Sequence, residues 1–118
     1  MNISDLLANY GPYFALALWF GYKWWNSRKV QTLLPSLRAQ GAVCVDVRAA
    51  TEFAGASAPG TINIPLPELG KRLNEVPKGV PIIVCCASGS RSGMAKLLLQ
   101  KAGYAEVHNI GSWSKLMA

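Results

Sequence analysis

The sequence predicts an α/β domain with a mainly parallel sheet, preceded by one apolar N-terminal helix. Three observations carry this reading. Beyond residue 30, short apolar runs of strand length alternate with stretches of helix formers, which is the order of a parallel sheet with crossover helices. The runs are almost continuously apolar, as strands buried on both faces are. The N-terminal stretch differs in character: 17 of the first 25 residues are apolar, and eight of the eleven aromatic residues lie there.

The elements follow in chain order. Leu6–Tyr22 is a 17-residue run without a charge, bounded by Asp5 and Lys23. At about 1.5 Å per residue it makes a helix of roughly 26 Å, near the thickness of a hydrocarbon core. Tyr10, Tyr13, Tyr22, Trp24 and Trp25 flank it as interfacial residues do, and Lys23, Arg28 and Lys29 follow. A cleaved signal peptide places its positive charge before the apolar run, the reverse of the order here. The expectation is therefore a transmembrane helix with its basic flank over residues 1–29, and a second unit over residues 30–118. By the positive-inside rule the second unit faces the cytoplasm.

Asn26–Val30 reads as a short polar linker. Gln31–Gln40 places Leu33, Leu34 and Leu37 on one helical face, with Pro35 marking a first turn and Gly41 a stop. Ala42–Val47 reads as the first strand, Thr51–Phe53 as a helical turn, Thr61–Ile64 as a second strand and Leu66–Leu73 as a helix. Val80–Cys85 is a third strand, Cys86–Arg91 a small polar loop, and Ser92–Ala102 a helix stopped by Gly103.

Composition removes several functions. With 51% apolar residues in 118, the chain is no disordered tail. Three cysteines and one histidine, without a Cys-x-x-Cys pair, leave no zinc site and no disulfide framework. The net charge of +6 comes from scattered Lys and Arg rather than from a basic patch, so nucleic acid is not an expected partner.

In a parallel α/β sheet, ligands bind beyond the carboxyl ends of the strands. Two polar segments fall there, Asp46–Arg48 and Cys86–Arg91. Ala87, Ser88, Gly89 and Ser90 are small enough for their N–H groups to curl toward one centre, and the next helix adds its positive N-terminal end. That field lowers the pKa of Cys86, and Arg91 adds a fixed fork of donors for an oxyanion. The result is a nucleophilic cysteine suited to an anionic group. Cys44 and Cys85 lie within apolar strands and read as core. Spacing leaves a second reading open for Asp46 and Arg48, an exposed ion pair of little energetic consequence.

These residues resemble a known family. Val84-Cys85-Cys86-Ala87-Ser88-Gly89-Ser90-Arg91-Ser92 is similar to the active-site loop of rhodanese-like sulfurtransferases. Val45-Asp46-Val47-Arg48 with Glu52-Phe53, Pro59–Pro65 and Val107–Gly111 resemble three further segments in the same order, over about residues 31–113. The resemblance implies a three-layer rhodanese-like domain in which Cys86 takes a sulfane sulfur from a thiosulfate-type donor as a persulfide. The sulfur then passes to cyanide or a thiol. It also implies that the backbone from Ala87 to Ser92 holds the persulfide, that Arg91 closes the loop and that Asp46 and Arg48 brace it, with no metal or organic cofactor. Ala56-Ser57-Ala58 replaces the Gly-His-Ile common before Pro-Gly. The chain ends five residues after Trp113, where many members continue into a helix.

Two rivals stand beside this reading. Related folds use a Cys-to-Arg loop for phosphatase or arsenate-reductase chemistry, but with five intervening residues, whereas Cys86 and Arg91 enclose four. A non-catalytic sensor or scaffold is the other, and its usual sign is loss of the cysteine or the arginine.

Overall fold

The computed structural model describes residues 1–117. Helix α1 spans Ile3–Ala39 as one element of 37 residues, started by Asn2, whose side chain accepts the Asp5 N–H at 2.8 Å. The expected linker at Asn26–Val30 is helical, for a reason visible in its contacts. Asn26 Nδ2 donates to the Asn109 carbonyl at 3.1 Å, Ser27 Oγ donates to the Ile110 carbonyl, and Val30 is buried. Polar side chains here meet a strand backbone instead of marking a loop. Pro35 is likewise internal to the helix and not in its first turn. An internal proline costs about 3 kcal/mol, which burial of the neighbouring Leu34 and Leu37 against the sheet offsets.

The membrane anchor and the cytoplasmic placement do not hold. Among the described residues, no helix is long and apolar enough to cross a membrane. Length is not the shortfall in α1; apolarity is. Its uncharged run carries Asn9, Gly11, Pro12 and three tyrosines, and charges close both ends of it. The basic residues expected to orient a span sit instead over ring faces one helical turn away. Lys23 lies 4.4 Å from the Trp19 ring centroid, Arg28 5.2 Å from Trp24 and Lys29 5.3 Å from Trp25.

Strands β1 (Val43–Asp46), β2 (Ile62–Asn63), β3 (Ile82–Cys86) and β4 (Val107–Ser112) form one parallel sheet in the order β2-β1-β3-β4. Helices α2 (Ala50–Gly55), α3 (Leu66–Leu69) and α4 (Ser90–Lys101) complete the regular elements, with 3₁₀ turns at Leu73–Glu75 and Trp113–Met117. The helix expected over Leu66–Leu73 is thus broken, with Gly70 closing its first half.

Alternation along β3 divides the core. Ile82, Val84 and Cys86 face Leu69, Ala95, Leu99 and Tyr104, while Ile83 and Cys85 face Val30, Leu34, Leu37, Ile110 and Leu116. The sheet is therefore the middle of three layers. Leu116 fills part of the α1 side from the last 3₁₀ turn.

Because α1 feeds directly into β1, it runs antiparallel to the strands. Residues near Ala39 lie at the amino edge of the sheet, and those near Asn26 lie beside Asn109 toward its carboxyl edge. Everything earlier in α1 overhangs that carboxyl edge, which accounts for the 55 × 31 × 29 Å dimensions of the molecule.

Candidate active site

β3 ends at Cys86 and α4 begins at Ser90, so the polar loop is shorter than the sequence pattern indicates: Ser90 and Arg91 already belong to the helix. The sharp reversal is made at Gly89, with φ of 104°, a value that disfavours any side chain. A Cβ there would also stand 3.3 Å from the Cα of Gly111. Gly111 has its own positive φ and belongs to an irregularity in the β3–β4 pairing between Val84 and Cys85. The loop and β4 thus pack backbone against backbone.

This turn aims donors at one sulfur. Gly89 N–H donates to Cys86 Sγ at 2.9 Å, and Ser92 Oγ lies 3.3 Å from the same atom. Burial pushes the Cys86 thiol up, but hydrogen bonds from the Ser92 hydroxyl and from the Ser92, Gly89 and Ser88 N–H groups outweigh it and leave the pKa below the ordinary thiol value. Cys85, one residue earlier, shows the opposite balance. Burial first, then the negative charge of Asp46, pushes it well above the usual thiol range. Burial also raises Cys44, with Arg38 opposing.

Asn109 locks the arrangement from β4. Its Oδ1 accepts from Ser92 Oγ at 2.7 Å and from Gly111 N–H at 3.0 Å, and its Nδ2 donates to the Gly89 carbonyl at 3.2 Å. Arg91 spans the other side of the loop to α2, donating to both Glu52 oxygens at 2.7 and 3.1 Å. That bidentate pair lowers the Glu52 pKa to about 2. Ala87, Ser88 and Ser90 are exposed on the loop surface, while Gly89 and Ser92 are buried.

The open reading of Asp46 and Arg48 is decided by burial, at 0% and 4% exposure. Asp46 Oδ1 accepts the Arg48 backbone N–H at 2.9 Å, Arg48 Nε reaches both carboxylate oxygens at 3.0 and 2.9 Å, and an outer nitrogen donates to the Ala56 carbonyl at 2.7 Å. The guanidinium lies 4.7 Å from the Trp113 ring centroid. Sequence reasoning gave no role to Asn109, Glu52 or Trp113. The first two lie inside segments that carry the family resemblance, but nothing in their spacing foretells which groups they touch.

A cysteine with a lowered pKa, cradled by N–H groups at the start of a helix and hung from a parallel sheet, defines a class of domains built to hold anionic groups on a thiolate. Residues 30–118 match the family model of the rhodanese-like domain, and the chain belongs to that family. The YrkF protein of Bacillus subtilis is 41% identical over 66 residues, which cover 56% of this chain and 36% of YrkF. The thiosulfate sulfurtransferase PspE of Escherichia coli is 39% identical over 69 residues, covering 57% of this chain and 66% of PspE. A solved Escherichia coli rhodanese with anions superposes with a TM-score of 0.59 at 34% identity, covering 63% of this chain and 89% of that one. The match thus spans between about a third and two thirds of these two curated relatives.

Proposed function

We propose that this protein is a sulfurtransferase that carries a sulfane sulfur on Cys86. The observation that supports it best is the cluster of donors on Cys86 Sγ, which favours a thiolate and, after reaction, the anionic outer sulfur of a persulfide. With thiosulfate, the Cys86 thiolate forms a bond to the outer sulfur, the sulfur–sulfur bond of the donor breaks, and sulfite leaves with the electron pair. An acceptor thiolate or cyanide then attacks the terminal sulfur, and the Cys86 thiolate is the leaving group. Neither step needs a metal or an external oxidant. The backbone of Ala87 to Ser92 cradles the added charge, Arg91 with Glu52 ties the loop to α2, and Asp46 with Arg48 braces the end of β1.

The test is mass spectrometry after treatment with thiosulfate. The peptide containing Cys86 should gain one sulfur atom, lose it on addition of cyanide, and gain none in Cys86→Ser. Absence of the added sulfur with thiosulfate and with every other sulfane donor would favour the non-catalytic reading.

A further inference from the structure

The pairing of β3 with β4 skips one residue: Val84 stands opposite Asn109 and Cys85 opposite Gly111, which leaves Ile110 outside the register. A bulge of this kind bends its strand and frees backbone groups that then need other partners. Helix α1 supplies them. Asn26 Nδ2 donates to the Asn109 carbonyl at 3.1 Å, and Ser27 Oγ donates to the Ile110 carbonyl. Ser27 is a buried polar side chain on the same helix as the buried Val30, Leu34 and Leu37, and Lys115 Nζ donates to its hydroxyl from the last 3₁₀ turn.

The same bulge holds the loop that follows β3. Asn109 Nδ2 donates to the Gly89 carbonyl at 3.2 Å, and a Cβ on Gly89 would stand 3.3 Å from the Cα of Gly111. A Cβ on Gly111 would in turn stand 3.4 Å from Ser27 Oγ. Ser27, Gly111 and Gly89 therefore touch in series, and the next contact is the Gly89 N–H on Cys86 Sγ at 2.9 Å. We propose that Asn26 and Ser27 are positioning residues for Cys86: by fixing the bulge of β4 they fix Gly89, and Gly89 presents its N–H to the sulfur. Hydrogen bonds weaken steeply with misalignment and are strongest to a charged acceptor, so relaxation of β4 costs the thiolate more than the thiol. Any change in turnover rests on the sulfurtransferase reading, whereas the change in the thiol does not.

Substitutions at residues 26 and 27 leave the charges around the sulfur in place. Arg91 on α4 stays paired with Glu52 on α2, and Asp46 with Arg48 on β1. Lys23 Nζ stays beside the Gly89 turn, 3.9 Å from where a Cβ would stand, and burial keeps the adjacent Cys85 thiol neutral. Lys115 loses a partner, and the influence of its charge is screened by salt.

The test is alkylation of Cys86 by iodoacetamide against pH, on the full-length protein at high salt, with the modified residue located by peptide fragmentation. In Asn26→Ala/Ser27→Ala the midpoint should move up by about one pH unit, the worth of one hydrogen bond to a charged group. Asn26→Ala alone, at a half-buried position that tolerates the change, should move it in the same direction by about half as much. Leu34→Ala weakens the same helix without touching the bulge and should leave the midpoint at the wild-type value. A midpoint unmoved in both α1 variants, or moved equally by Leu34→Ala, would overturn the positioning role. If the midpoint moves as stated while no sulfane donor leaves sulfur on Cys86 of the wild type, the sulfurtransferase reading fails and the positioning role stands.

Discussion

Ser92 has one hydroxyl hydrogen and two acceptors within reach, Asn109 Oδ1 at 2.7 Å and Cys86 Sγ at 3.3 Å. A neutral thiol leaves that hydrogen on Asn109, and a thiolate draws it to sulfur, so the hydroxyl follows the ionisation of Cys86. Removing it strips the first of the opposing hydrogen bonds while burial, the largest influence, remains. Ser92→Ala should therefore raise the Cys86 pKa, shift the acid limb of persulfide formation to higher pH and slow the reaction at neutral pH by roughly tenfold. Stopped-flow measurement against pH reads both effects, and an acid limb that stays in place would show that Ser92 does not serve the thiolate. The neighbouring sulfur gives a contrasting case. Cys85 faces the α1 layer and its pKa is raised, so Cys85→Ser should keep sulfur transfer within a few-fold of wild type, at the cost of a buried hydroxyl in an apolar layer. A loss matching that of Cys86→Ser would make Cys85 a participant.

At the scale of elements, β1 and β3 were legible because each is an apolar run, whereas β4, with Asn109 and Gly111 inside it, was legible only through the family resemblance. The linker was misread because Asn26 and Ser27 are polar for a tertiary reason, their hydrogen bonds to β4 some eighty residues away. The same limit explains why Arg91 could be read as an oxyanion fork yet not as the partner of Glu52 on α2. That partnership carries a pH dependence. The folded Glu52 pKa is depressed from 4.5 to about 2, so the tie between α2 and α4 is complete above the ordinary carboxylate value and is lost as pH falls toward about 2. Both side chains are 38% exposed, so the contribution at neutral pH is small. Urea midpoints of the wild type should exceed those of Glu52→Gln by a modest margin at pH 7, and the two should converge toward pH 2. A margin that widens on acidification would contradict the assigned direction.

For the whole molecule, α1 is two structures on one helical axis. From Ser27 onward it is a layer of the domain, with Ser27, Val30, Leu34 and Leu37 buried against β3, β4 and the last 3₁₀ turn. Before that it is a largely exposed aromatic rod, and Trp19, Phe20, Trp24 and Trp25 are each at least half exposed. Composition detected the difference between the halves but assigned it to a membrane, because apolarity in a sequence does not distinguish a lipid-facing helix from one that overhangs a site. The two halves should separate in stability. Leu34→Ala removes a side chain that is 3% exposed within the α1 layer, and it should cost about 2–5 kcal/mol. Removal of residues 1–18 touches no buried side chain and should leave the denaturation midpoint near that of the full chain. Chemical denaturation of both variants, followed by circular dichroism, makes the comparison. A truncated protein as destabilised as Leu34→Ala would mean that the rod makes a tertiary contact the fold depends on, and α1 would then have to be treated as a single cooperative unit.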